Sequence, residues 1–279
     1  MIAKFKSFVE LSRPLNLLQA ALAILVGYWL VGGGSILELR FAMLTVLAFT
    51  AGGNAINDYF DYETDLINKP RRVIPSGRIS KKGALCFAII MFSLGLLALI
   101  PIFNLYSGII AIMSLLLLII YTPILKNIVI LGNLTVSIIL GAAFIFTTAV
   151  FGQIRTGVVP ALLAFGFNFV REIIKDMEDV AGDRKQSINT LSTKYGKQTA
   201  RYFAILGIMF IFIGIPIPYV LDIYSHYYLW TVLIFVEIPL LYSFINLLQD
   251  ISKKNCAKLS AILKYDVFFG LLAVFLGRF

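Results

Sequence analysis

Nine apolar stretches, each close to twenty residues long, constrain this chain more than anything else in its sequence. They run approximately over 15–33, 36–56, 83–101, 104–122, 128–151, 156–175, 200–220, 227–248 and 259–277. A helix needs about 20 apolar residues to cross a hydrocarbon core about 30 Å thick, so the pattern predicts an all-α membrane protein with nine spans around a common centre. Composition agrees: hydrophobic residues reach 59% and charged residues only 14%, whereas a soluble domain carries roughly 25% charge. So few charges could not cover a soluble surface, and the same numbers exclude disorder, a coiled coil and a disulfide-stapled secreted domain. No stretch between the spans is long enough for a soluble domain, so residues 1–279 read as a single transmembrane domain.

The basic residues give an orientation. With a cytoplasmic N-terminus and alternating spans, 21 of the 24 Lys and Arg fall on the inner side, and only Arg40, Arg155 and Arg278 fall outside. That asymmetry is the one expected of cytoplasmic loops. The net charge of +9 therefore marks membrane orientation and not a nucleic-acid surface. Lys4, Lys6 and Arg13 resemble the start of a signal peptide, but the stretch that follows is too long for one and reads as a retained span. Cys86 and Cys256 have no CxxC partner and read as buried free thiols. His226, the single histidine, reads as a loop or interface residue and leaves no histidine-built metal site or triad.

The 15 acids are more informative. Asp58, Asp61, Glu63 and Asp65 share one window, and Glu172, Asp176, Glu178, Asp179 and Asp183 share another. Both windows lie at the cytoplasmic ends of spans. The spacing of three then four residues in Asp58, Asp61 and Asp65 is repeated in Asp176, Asp179 and Asp183. At about 100° per residue, Asn54, Asn57, Asp58, Asp61 and Asp65 fall within an arc of roughly 100°. A shift of 118 residues places Glu172, Lys175, Asp176, Asp179 and Asp183 on the same arc, although Gly182 is expected to end the second helix before Asp183. Like charges on one helix face repel and are costly at a membrane boundary. A divalent cation removes the conflict, and Mg²⁺ is the one suited to oxygen ligands and phosphate. Zinc would need His or Cys. Two facing acidic clusters thus read as a site where Mg²⁺ ions bridge to a phosphorylated substrate. Arg72 and Lys175 beside the clusters, with Tyr121 and Lys126 in YTPILK, are candidates to contact phosphate oxygens; their plain alternative is anchoring at the membrane interface.

The segment NAINDYFDYETDLINKPRRVIPSGRIS, Asn54 to Ser80, resembles the first signature of the UbiA superfamily of membrane prenyltransferases, with the NDxxDxxxD pattern at Asn57, Asp58, Asp61 and Asp65. REIIKDMEDVAGDRKQ, Arg171 to Gln186, resembles the second signature through Asp179 and Asp183. SRPLN and YTPILK are similar to family segments as well, and the resemblance covers nearly the whole chain. It implies nine helices around a cavity open to lipid, with two Mg²⁺ ions holding an isoprenyl diphosphate. Asn57, Asp61, Asp65, Asp179 and Asp183 then become metal ligands with Asp176 as a helper, and Asp61, Asp65, Asp179 and Asp183 the catalytic aspartates. The style of the first loop is most similar to the archaeal ether-lipid branch. That implies transfer of a geranylgeranyl group to the hydroxyl of geranylgeranylglyceryl phosphate, a lipid-like acceptor drawn from the membrane, with Arg13 and Asn16 near its phosphate. An aromatic acceptor such as 4-hydroxybenzoate would use the same metal site, and a cation transporter is the alternative of a different class.

Overall fold

Pro14 shapes the entry to the bundle. The structure, a computed structural model, describes residues 2–279 and contains no strand among them. Helices α1 (Ile2–Leu11) and α2 (Pro14–Leu30) are set at 53° to each other. A residue before proline is disfavoured in helical conformation, and Arg13 turns into the left-handed region at φ 55°. Then follow α3 (Ile36–Phe60), the short α4 (Tyr62–Asn68), α5 (Lys81–Leu99), α6 (Leu105–Tyr121), α7 (Leu131–Val150) and α8 (Val158–Lys185). The second half holds α9 (Leu191–Lys194), α10 (Lys197–Gly214), α11 (Ile217–Val220), α12 (His226–Thr231), α13 (Glu237–Gln249) and α14 (Lys253–Leu276). A π-helical segment, Val232–Val236, joins α12 to α13.

Every one of the nine apolar stretches carries a helix. Among the described residues, seven helices are long and apolar enough to cross a membrane, or eight if the bent α1–α2 pair is one span. The remaining stretch is α6, with 17 residues. Large apolar side chains such as Leu97, Ile100, Phe210, Ile213 and Trp230 lie exposed on the outside of the bundle. A water-soluble monomer does not tolerate such a belt; an integral membrane protein does. Cys86 corrects one expectation. It is exposed on the outer side of α5, whereas Cys256 is buried.

Cross-helix hydrogen bonds sort the helix ends into two faces. On one face, Asn54 Nδ2 donates to Ser12 O, Thr122 Oγ1 to Asn57 Oδ1, and Lys197 Nζ to Ile251 O. On the other, Gln153 Nε2 donates to Val31 O, Asn104 Nδ2 to Ala149 O, and Ser225 N to Gly277 O. Two apolar clusters form the core. One is built chiefly from α1–α3, α5 and α6, with Val73, Ile74 and Ile79 of the loop before α5 and Phe146 and Val150 of α7. The other draws chiefly on α7, α8, α10 and α12–α14. A cavity of about 580 Å³ lies between them.

Candidate active site

The first acidic cluster forms where α3 gives way to α4. The helix is interrupted at Asp61, with ψ near 5°, so Asn54, Asn57 and Asp58 sit on α3 and Asp65 on α4. The break is mild. Asp61 N still donates to Asn57 O and Asp65 N to Asp61 O, each at 2.8 Å, so the residues keep nearly the shared face that their spacing predicts. Asp58 and Asp65 are buried.

The second cluster departs from expectation. Helix α8 does not stop at Gly182 but continues through Asp183 to Lys185. Gly182 has another use: it seats α4. Its N–H donates to Asn68 Oδ1 at 3.1 Å, and Asn68 Nδ2 donates to the Asp179 carbonyl at 2.9 Å. A methyl group at Gly182 would stand 2.4 Å from Asn68 Nδ2. This close approach docks the two acidic segments onto each other, and Asp183 comes within electrostatic range of both Asp179 and Asp61.

Cations hold these carboxylates. Arg72 donates to Asp65 at 2.6 Å and to Asp58 at 3.2 Å, and Arg13 pairs with Asp58 as well. Lys126 reaches Asp61 at 2.6 Å and Lys69 reaches Asp179 at 2.7 Å. Lys175 and Arg171 share Glu172, at 2.9 and 3.0 Å. Asp176 accepts instead from Asn133 Nδ2 at 2.8 Å. The environment tunes the loop groups. Burial pushes the Asp65 carboxyl up against the pull of Arg72. It pushes the Lys69 ammonium down, with Asp179 opposing. Burial also acts to lower Lys126 and Arg72, but their carboxylate partners outweigh it and hold both above their ordinary values.

Of the residues singled out in the sequence, the structure thus brings Asp61, Asp65, Asp179 and Asp183 toward one another together with Arg72 and Lys126. Tyr121 lines the cavity and feels the field of Glu172, Asp176, Asp61 and Asp183. Arg13 and Asn16 line it too, the latter donating to Asn54 Oδ1 at 3.3 Å. Lys69, Asn68 and Asn133 carry contacts that the sequence reading did not assign. Lys69 looked like one more inner-loop anchor, and the two asparagines lie outside the repeated spacing.

The cavity has two chemistries. Its mouth is lined by Arg13, Asn54, Asn57, Lys69, Arg72 and Lys175; its far end by Phe144, Phe146, Ile215, Val232, Leu271 and Val274. Such a space suits a ligand with an anionic head and a long apolar tail.

The donor set fits a hard cation. It offers carboxylate and amide oxygens with no His or Cys beside them, and Asp179 Oδ1 is buried without a hydrogen-bond partner. Among the described residues no three or more such groups are drawn together into a ligand set, because Lys and Arg carry the neutralising charge. A cation at Asp61, Asp65 or Asp179 would share those carboxylates with Lys126, Arg72 and Lys69.

Known proteins resemble this chain along nearly its whole length. Digeranylgeranylglyceryl phosphate synthase of Methanosphaera stadtmanae is 35% identical over 270 residues, covering 97% of this chain and 98% of that protein. A solved structure concerned with digeranylgeranylglyceryl phosphate synthase in membranes superposes with a TM-score of 0.76 at 34% identity, covering 98% of both chains. A UbiA homolog from Archaeoglobus fulgidus, solved with GPP and Mg²⁺ bound, shares the fold at a TM-score of 0.65 and 16% identity over 96% of this chain and 99% of that one. Residues 20–272 match the model of the UbiA prenyltransferase family. With seven or more apolar helices, two docked acidic motifs and a cavity charged at one end, the chain is an integral membrane protein that belongs to the UbiA prenyltransferase family.

Proposed function

We propose that this chain transfers a geranylgeranyl group from its diphosphate to the free hydroxyl of geranylgeranylglyceryl phosphate, forming the second ether bond of an archaeal-type lipid. One observation carries the reading: a cavity with a charged mouth and an apolar depth, in a chain 35% identical along 97% of its length to a protein of that name. The reaction belongs at the cytoplasmic side of a single nine-span domain with its N-terminus inside. The sorting of helix ends into two faces supports that topology, because Arg40, Arg155 and Arg278 lie near the ends away from the acids.

Asn57, Asp61, Asp65, Asp179 and Asp183, with Asp176 beside them, would hold two Mg²⁺ ions, which would supply charge neutralisation and Lewis acidity at the diphosphate; the related fold solved with GPP and Mg²⁺ supports the use of Mg²⁺ with a prenyl diphosphate. The chain's own groups do the rest. Arg72, Lys126 and Lys175 exchange their carboxylates for diphosphate oxygens and stabilise the charge that grows as the allylic C–O bond breaks. Tyr121, set against the same mouth, adds a hydroxyl donor. The prenyl tail lies among Phe144, Phe146, Leu271 and Val274, where water is kept from the developing carbocation and aromatic faces favour positive charge. Arg13 and Asn16 lie on the acceptor side. The acceptor hydroxyl attacks the allylic carbon, pyrophosphate departs, and the hydroxyl proton is lost to water at the mouth.

The test is transfer by purified protein in detergent, with labelled geranylgeranyl diphosphate, geranylgeranylglyceryl phosphate and Mg²⁺. EDTA should stop it. Asp61→Asn and Asp179→Asn should each abolish it while the protein keeps its size-exclusion profile. Full activity in either variant would overturn the two-motif site.

A further inference from the structure

Lys264 is out of place for a membrane anchor. It belongs to the basic residues of the inner side by sequence, yet it lies eleven residues into α14, about 16 Å along the helix from its start. Its backbone carbonyl is tied to α2 by Gln19 Nε2 at 2.6 Å, and the residue lines the central cavity.

Six cations line that cavity: Arg13, Lys69, Arg72, Arg171, Lys175 and Lys264. Five have a carboxylate partner. Lys264 has none among the described residues, and the charged groups that act on it most strongly are all cations: Arg171, Arg13, Lys175 and Arg72. An unpaired ammonium inside a span is expensive, and such residues mark binding sites. Arg171 shows the same deficit in another form, since its Nε is buried with no acceptor. Arg171 and Lys175 share one ion-pair partner, Glu172; the other two carboxylates that line the cavity, Glu178 and Asp266, form no ion pair with Arg171, Lys175 or Lys264. Arg171 opens the second acidic segment, but it lies eight residues before Asp179 on α8, about 12 Å deeper, and so away from Asp179 and Asp183 at the cavity mouth.

We infer that Lys264 and Arg171 form a second anion site, on the α8–α14 wall of the cavity, which takes the phosphate monoester of the acceptor lipid. The inference rests on the proposed reaction and deepens it: a phosphate monoester supplies the missing partner for the Lys264 ammonium and the missing acceptor for Arg171 Nε. Seated there, it anchors the acceptor so that its hydroxyl faces the mouth, and it makes the enzyme select a phosphorylated acceptor over a neutral one. Both are positioning residues and take no part in bond making.

The experiment is steady-state kinetics in detergent with Mg²⁺, varying each substrate in turn. Lys264→Gln should raise KM for geranylgeranylglyceryl phosphate about tenfold or more and leave KM for geranylgeranyl diphosphate and kcat within about twofold. Arg171→Gln should do the same, and Lys264→Arg should restore most of the affinity, which a folding defect would not allow. With geranylgeranylglycerol, which lacks the phosphate, wild type and Lys264→Gln should be equally poor. An unchanged acceptor KM in Lys264→Gln, or a rise in the diphosphate KM instead, overturns the site while the reaction stands. Wild type that makes no product from the phosphorylated acceptor but alkylates 4-hydroxybenzoate overturns the reaction and the site together.

Discussion

Gly182 gives the sharpest test of how the two acidic motifs are assembled. An added methyl group would lie 2.4, 2.7 and 2.9 Å from three atoms of the Asn68 side chain, all closer than real contacts allow. The obstacle is a side chain and not backbone, so Asn68 moves and the bundle survives. What is lost is a pair of hydrogen bonds, Gly182 N to Asn68 Oδ1 and Asn68 Nδ2 to Asp179 O. At roughly 0.5–1.5 kcal/mol each, the docking of α4 on α8 weakens by about 1–3 kcal/mol. Alanine in place of a glycine in the last turn of α8 returns up to about 1 kcal/mol, so overall stability should fall by no more than about 2 kcal/mol. Catalysis should not be spared, because a displacement of about 1 Å in positioned groups can cost about 100-fold. Gly182→Ala should therefore lower kcat about 10- to 100-fold with at most a modest fall in melting temperature in detergent. Asn68→Ala should lower it to a similar degree, and the double variant should be no worse than either alone, since both act through one contact. Full activity in Gly182→Ala, or effects that add in the double variant, would refute the docking argument.

Other outcomes follow from single contacts. Lys126→Met leaves Asp61 without its 2.6 Å partner, at about 3 kcal/mol for a pair this buried; KM for the prenyl diphosphate should rise at least tenfold, and Lys126→Arg should recover most of the loss. Gly270 lines the cavity, and a Cβ there meets nothing within 4 Å. Gly270→Leu should therefore fold normally but fill space needed by a long tail, raising KM for geranylgeranyl diphosphate about tenfold relative to geranyl diphosphate. N-ethylmaleimide should add once to the folded protein, at exposed Cys86 and not at buried Cys256, as read by intact mass; two rapid additions would contradict the packing of α14.

Much of this was legible in the chain. Twenty-residue apolar runs can do little in water other than cross a bilayer, so the positions of the helices followed from length alone. The repeat of Asp58, Asp61 and Asp65 in Asp176, Asp179 and Asp183 showed two matched faces, because spacing along a helix converts directly into angle. Spacing could not say how those faces dock. Gly182, read as a helix stop, is instead the flat surface on which Asn68 rests, and glycine serves both purposes with the same letter. Lys264 and Arg171 were counted as inner-face charges because that rule weighs proximity to a span's end and is blind to which side of a helix faces a cavity. Cys86 misled for a related reason. An apolar neighbourhood in a membrane chain describes the outside as well as the core.

A competition assay tests the identity of the acceptor most directly. Purified protein with Mg²⁺ and radiolabelled geranylgeranyl diphosphate should be offered equal amounts of geranylgeranylglyceryl phosphate and 4-hydroxybenzoate, and the products separated. Label should appear in the digeranylgeranylglyceryl phosphate ether, with no prenylated 4-hydroxybenzoate above the EDTA blank. Label in the aromatic product alone would contradict the proposed acceptor.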